Sequence, residues 1–305
     1  MGKLHISVSP HLHSGRSTQG IMRDVVFSLL PATAAGIALF GLSAVWVVLT
    51  CVFTAVLSEA LFNFIIKKEQ TVGDWSAVVT GLLLALNLPA NIPLWQAVIG
   101  TVFAIVIVKC FFGGIGCNVV NPAITGRVFM LIAFGSMAQA AFPVDSTAAA
   151  TPLVQLGEGT VPDLLELFLG KCGGSIGETS VLALLIGFIY LLVRKVISWH
   201  LPVVYIGTVF LFTFAVQGDL TVALAYILSG GLFLGAIFMA TDYVTSPATP
   251  AGKLIFGLGA GIITVLIRLW GNYPEGVSFA ILLMNILNPY IEAWTPRKVF
   301  GGKKA

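Results

Sequence analysis

Residues 45–66 read Val45-Trp-Val-Val-Leu-Thr-Cys51-Val-Phe-Thr-Ala-Val-Leu-Ser-Glu59-Ala-Leu-Phe-Asn-Phe-Ile-Ile66, an unbroken apolar run with one charge, Glu59. About 20 such residues cross the hydrocarbon core of a bilayer, so this run is expected to span a membrane. The rest of the chain is of the same kind. Of 305 residues, 57% are hydrophobic and 10% charged, with a mean hydropathy of +0.98. A soluble domain carries about 25% charged residues. Composition therefore excludes a soluble enzyme and predicts an all-α integral membrane protein.

Working outward from that run, hydropathy predicts about ten membrane segments: 24–43, 45–66, 75–89, 94–112, 122–141, 180–197, 201–217, 220–240, 254–271 and 276–294. The third is short and ends at Leu88-Pro89, as a broken or re-entrant helix does. No cleavable signal peptide is expected. The polar start, with His5, His11, His13, Arg16 and Arg23, runs straight into the first apolar segment, which lacks the layout of a leader.

Ten crossings put both termini on one side. Loops facing the cytoplasm collect Lys and Arg. With the termini inside, the inner side holds Lys3, Arg16, Arg23, Lys67, Lys68, Lys109, Arg127, Arg194, Lys195, Lys253, Arg297, Lys298, Lys303 and Lys304. The outer side keeps Lys171 and Arg268. The expected layout is a cytoplasmic segment 1–23, a membrane half 24–141, an outer loop 142–179, a second half 180–294 and a cytoplasmic tail 295–305. Five segments per half would make the halves inverted copies, as in many transporters. Gly113-Gly114-Ile-Gly116 before Asn121-Pro122, and a glycine-rich region before Asn288-Pro289, are the residue-level hints of such a repeat. Glycine also simply allows close helix packing in lipid.

The cysteines, Cys51, Cys110, Cys117 and Cys172, form no CxxC pair and no metal-like cluster with histidine. Ionisable groups at membrane depth are costly and so become candidates for function. Glu59 lies late in the second segment and reads most simply as an interfacial group beside Lys67 and Lys68. Asp74, in Thr71-Val-Gly-Asp74-Trp-Ser76, is either a helix cap or part of a polar or ion site at free backbone N–H groups. Asn87 interrupts an apolar run, and carbonyls freed at such a break can coordinate a cation.

Two inner turns are more specific. Gly113-Gly114-Ile115-Gly116-Cys117-Asn118-Val-Val-Asn121-Pro122 offers close backbone approach and two uncharged amides, suited to a flavin ring edge. It is not a dinucleotide fingerprint, because membrane segments flank it rather than a strand and a helix. Arg127 follows one turn later, placed to pair with phosphate or acid or to anchor at the interface. The second turn, Thr241-Asp242-Tyr243-Val244-Thr245-Ser246-Pro247-Ala248-Thr249-Pro250, is too polar to face lipid and reads as cavity lining. Asp74, Asn87 and Asp242 are the candidates for a cation path.

Together with Ser9-Pro10-His11, Gly271-Asn-Tyr273-Pro274-Glu275-Gly276 and Asn288-Pro289, these motifs resemble the RnfD family of the Rnf complex, which is related to NqrB of the sodium-pumping NADH:quinone oxidoreductase. The resemblance covers almost the whole chain. It implies one component of a bacterial cytoplasmic-membrane complex that passes electrons from ferredoxin to NAD and exports Na+ or H+. Partners would be the other Rnf subunits, among them a second covalent-FMN subunit, and a flavin transferase; no nucleic acid is expected. It also implies FMN joined by a phosphoester to a threonine in an outer Ser/Thr-x-Ala-Thr motif. Ser246-Pro-Ala-Thr249 fits that motif literally, but lies on the inner side. Ala148-Ala-Ala-Thr151 departs from it at Ala148, yet lies outside, with Asp145 six residues earlier and Pro152 following. Thr151 is therefore the expected attachment residue. A second, non-covalent flavin, riboflavin, is implied between the helices, and Asn118, Asn121, Arg127 and Asp242 are the residues expected around the flavins. The alternative is a flavin-free channel or secondary transporter built on the repeat; a purely structural membrane component leaves the polar turns unexplained.

Overall fold

The computed structural model describes residues 17–135, 142, 151–271 and 276–297. Asp145, the residues 143–150 around it and the loop 272–275 lie outside the described residues. No β-strand occurs among the described residues, and the chain is a multi-pass helical membrane protein. Its helices are α1 (Thr18–Phe40), α2 (Leu42–Ile66), α3 (Ser76–Leu86), α4 (Leu94–Val102, continuing as a π-helix over Phe103–Cys110), α5 (Pro122–Ala133), α6 (Pro152–Gly157), α7 (Leu164–Leu169), α8 (Val181–Val193), α9 (His200–Gln217), α10 (Leu220–Leu228), α11 (Leu232–Leu234, continuing as a π-turn over Gly235–Met239), α12 (Pro250–Trp270) and α13 (Val277–Trp294).

Among the described residues, each of the ten expected segments is occupied mainly by one helix or one bent pair. Among the described residues, α1, α2, α9, α12 and α13 are long and apolar enough to cross a bilayer alone. The pair α10–α11 does so together, bent by 62° at the break. The remaining four, α3, α4, α5 and α8, are shorter apolar helices. At 11 residues, α3 is about 16 Å long, roughly half of a ~30 Å hydrocarbon core. Helix α1 starts earlier than hydropathy suggested, because Ser17 caps it by accepting from Gly20 N at 3.0 Å. Its polar first turns are held by neighbours: Asp24 accepts from Tyr190 Oη (3.0 Å) and Arg194 Nε (3.2 Å), and Arg23 lies 5.4 Å from the centre of the Trp75 ring.

The two halves repeat their packing. α2 packs on α3 and α4, and α9 packs on α10 and α12. α4 packs on α5 and α12 on α13, while α1 meets α8 and α5 meets α13, each against its own counterpart. The third element of each half is the interrupted one. One apolar core runs through both halves. On α2 the packed face is the stripe Val47, Cys51, Ala55, Glu59 and Asn63, four residues apart, whereas Trp46, Phe53 and Phe64 point outward. A stripe of small and polar residues lets helices approach closely in lipid.

The segment 142–179 is not a plain loop. Its short helices α6 and α7 dock on α10 through Leu153, Leu156, Leu167, Ala225 and Tyr226. Its last part, Ser175–Ser180, is buried. There Gly177 N donates to Leu86 O (2.8 Å) and Ile176 N to Leu88 O (3.0 Å). These bonds satisfy the carbonyls freed where α3 stops, which is the condition for irregular backbone in a membrane interior. Gly177 is required by the approach: a Cβ there would sit 2.5 Å from Leu86 Cβ.

Candidate functional site

A cavity of about 570 Å³ lies where the starts of α1 and α3, the end of α8 and the two polar turns converge. Asn118, Asn121 and Asp242 all line it, so three residues far apart in sequence come together. Their states differ. Asn121 caps α5, its Oδ1 accepting from Ala123 N (3.0 Å) and Ile124 N (3.3 Å), and its Nδ2 donates to Met239 O at 3.3 Å. Asn118 Oδ1 is buried and accepts no hydrogen bond. Buried polar atoms almost always find a partner, so Asn118 is the open polar edge of the cavity. Asp242 accepts from Thr245 Oγ1 (3.2 Å) and Val244 N (3.5 Å). Desolvation pushes its carboxyl above the ordinary carboxylate range, opposed by the hydrogen bonds from Val244, Thr245 and Tyr243.

One wall of this cavity includes Lys109, a member of a buried ion pair. Lys109, on the π-helical end of α4, donates to Glu59 Oε2 at 2.8 Å and to Ser76 Oγ at 2.6 Å. Both side chains of the pair are 2% exposed. Glu59 also accepts from Thr71 Oγ1 (2.6 Å), which accepts from Asn63 Nδ2 (3.0 Å). Ser76 passes the chain on to Asp74 Oδ1 (2.5 Å). The interfacial reading of Glu59 beside Lys67 and Lys68 is thereby corrected. α2 runs two turns past Glu59, and the stripe that carries it faces the protein. Asp74 does not line the cavity; it accepts from Ser76 N at 2.8 Å, just ahead of α3.

Arg127 and Asn87 sit elsewhere, and together. Arg127 Nη1 donates to Asn87 Oδ1 and to Glu178 Oε1 in a buried ion pair. Asn87 Nδ2 donates to Leu83 O at 2.7 Å. Glu178 belongs to the buried end of the 142–179 segment and reaches the other interrupted helix, since a Cβ on Gly231 would stand 2.5 Å from its Oε1. Of the readings open for Arg127, a phosphate, an acid or an interfacial anchor, the partner found among the described residues is an acid, Glu178, at the junction of both breaks. Sequence reasoning did not single out Glu178. Nothing local marks it, because its partner Arg127 lies 51 residues away.

Thr151 is partly buried and precedes α6, with Pro152 buried as the first helical residue. Its side chain makes no cap hydrogen bond. Thr249 holds the equivalent place before α12, with Pro250 following. Its Oγ1 accepts from Gly252 N (3.1 Å) and is bonded to Thr295 Oγ1 (3.0 Å).

A helical membrane bundle with an interrupted third element in each half, buried ion pairs and a ligand-sized cavity defines the class: a polytopic membrane protein with polar groups buried in its interior. Residues 5–301 match the NQR2, RnfD, RnfE family, and the chain belongs to that family. It is 48% identical to the D subunit of the Na(+)-translocating ferredoxin:NAD(+) oxidoreductase complex of Acetobacterium woodii, covering 99% of this chain and 96% of the relative. It is 41% identical to the D subunit of the proton-translocating ferredoxin:NAD(+) oxidoreductase complex of Clostridium ljungdahlii, over 98% and 96%. With the D subunit of the ion-translocating oxidoreductase complex of Escherichia coli it shares 34% identity, over 98% and 99%.

Proposed function

We propose that this chain is the RnfD component of an ion-translocating ferredoxin:NAD oxidoreductase complex, a membrane flavoprotein that carries electrons between chemistries housed in partner subunits. FMN is joined to Thr151 by a phosphoester outside the membrane, and a second flavin, riboflavin, occupies the large cavity on the cytoplasmic side. The observation that carries the flavin reading is the cavity itself. Its volume of about 570 Å³ falls in the range of small-molecule sites, roughly 300–1,000 Å³, and Asn118 Oδ1 stands in its wall without a donor. When bound, a flavin supplies the redox chemistry, while the protein fixes and tunes it. Asn118 would hold a donor of the ring edge, and Asp242 would stand beside it. Asn121 shapes the wall rather than offering open hydrogen-bonding capacity.

For the covalent flavin, Thr151 is supported over Thr249 by the state of the hydroxyl. A group already bonded to Gly252 N and Thr295 is poorly placed for modification, whereas the Thr151 side chain leaves its helix uncapped. Export of Na+ or H+ rests on the names of the relatives, which differ in the ion. In-gel fluorescence of the denatured chain tests the reading. A fluorescent band that is lost in Thr151→Val is expected; a dark native band overturns it. The repeated packing of the two halves favours a second reading, a flavin-free transporter, and that reading predicts the dark band.

A further inference from the structure

An ammonium group carries three N–H donors. Lys109 spends one on Glu59 and one on Ser76, and it is among the residues that line the large cavity. We infer that Lys109 presents its remaining donor and its charge to the ligand of that cavity, and so sets the ligand's redox potential. The inference rests on the reading of the cavity as a flavin site. Among the described residues, the charges that line the cavity are Lys109, Lys195 and Asp242. Lys109 is held on both sides by buried partners, Glu59 and Ser76. Glu59 is tied in turn to Thr71, and Ser76 to Asp74.

This arrangement has two consequences. Two hydrogen bonds to buried partners fix Lys109 in place and leave one of its donors over. Its position is also asymmetric: Lys109 and Ser76 are among the residues lining the cavity, whereas Glu59, hydrogen-bonded to Lys109, is not. A positive charge at the wall favours whichever redox state of the ligand is more negative. Low local dielectric strengthens that effect. An electron delivered by a reduced carrier of the partner subunits adds one negative charge to the ligand, and Lys109 answers it without gaining or losing a proton.

The test is an optical redox titration of the non-covalent flavin in the purified complex, in a Thr151→Val background that removes this chain's covalent flavin. Lys109→Met is expected to lower the ratio of reduced to oxidised flavin at fixed potential by about tenfold, which is about 59 mV for a one-electron couple. Glu59→Gln leaves the ammonium uncompensated and is expected to shift the ratio the other way. Lys109→Arg keeps the native value. A merely structural pair would give no such opposition of sign. Flavin retained with an unchanged potential in both single variants, or shifts of one sign, overturns the inference while leaving the cavity reading intact. A native complex that releases no non-covalent flavin on denaturation removes both. If Lys109→Met does not fold, the upward shift in Glu59→Gln still decides.

Discussion

Thr151-Pro152 and Thr249-Pro250 are the same piece of local grammar. In each, Ala-Thr-Pro opens a helix, with threonine in the cap position and proline as the first helical residue, where its missing N–H costs nothing. The difference lies in what the hydroxyl does. At Thr249 it closes the helix end and ties α12 to Thr295 beyond α13; at Thr151 it caps nothing. The motif spelled better, Ser246-Pro-Ala-Thr249, is thus the structural one, and the motif spelled worse is the candidate for chemistry.

The largest effect that can break this comparison is on covalent flavin. Thr151→Val abolishes it and Thr249→Val leaves it at the native level, as judged by fluorescence of the denatured band; label surviving in the first variant would sink the assignment. Next comes the seating of the Thr151 segment. Its inner end is clamped by Arg127 against Glu178 and Asn87. Truncating one partner of a buried pair typically costs about 3–5 kcal/mol. Arg127→Leu should therefore lower the thermal midpoint of the detergent-solubilised protein sharply, with Arg127→Leu/Glu178→Leu recovering part of the loss.

A smaller effect sharpens the other member of the pair. Thr249→Ala removes an N-cap worth about 1 kcal/mol and lowers the midpoint modestly, whereas Thr151→Ala in unflavinylated protein leaves it unchanged. The smallest effect concerns Asp242, which opens the turn holding Thr249. Its raised carboxyl pKa means that the folded state binds a proton more tightly than the unfolded one. Its contribution to stability is then greatest below the ordinary carboxylate range and declines as pH rises through the raised value. Asp242→Asn should flatten that part of the profile of thermal midpoint against pH; an unaltered slope would contradict the assignment.

Hydropathy and the break at Leu88-Pro89 made the ten segments and the interrupted third element legible, because both depend on residues adjacent in the chain. The convergence of Asn118, Asn121 and Asp242 was legible too, since polar turns in an apolar chain have few places to go. Glu59 was missed although a signal existed: Cys51, Ala55, Glu59 and Asn63 recur every four residues, a packed face that no interfacial group would occupy. The entry of Ser175–Ser180 into the protein left no such trace. Gly173-Gly174-Ser-Ile-Gly-Glu178 has the composition of a surface loop, and its burial follows from hydrogen bonds to the distant carbonyls of Leu86 and Leu88. The break between α10 and α11 was visible as Gly230-Gly231, but glycine in a membrane helix more often marks packing than interruption.

Flavin on Thr151 is the central claim, and the intact mass of the purified chain measures it most directly. A native chain heavier by one FMN less one water, with the added mass on a peptide containing Thr151 and absent from Thr151→Val, is the expected result. A native chain at its unmodified mass, or the added mass on a peptide containing Thr249, would contradict it.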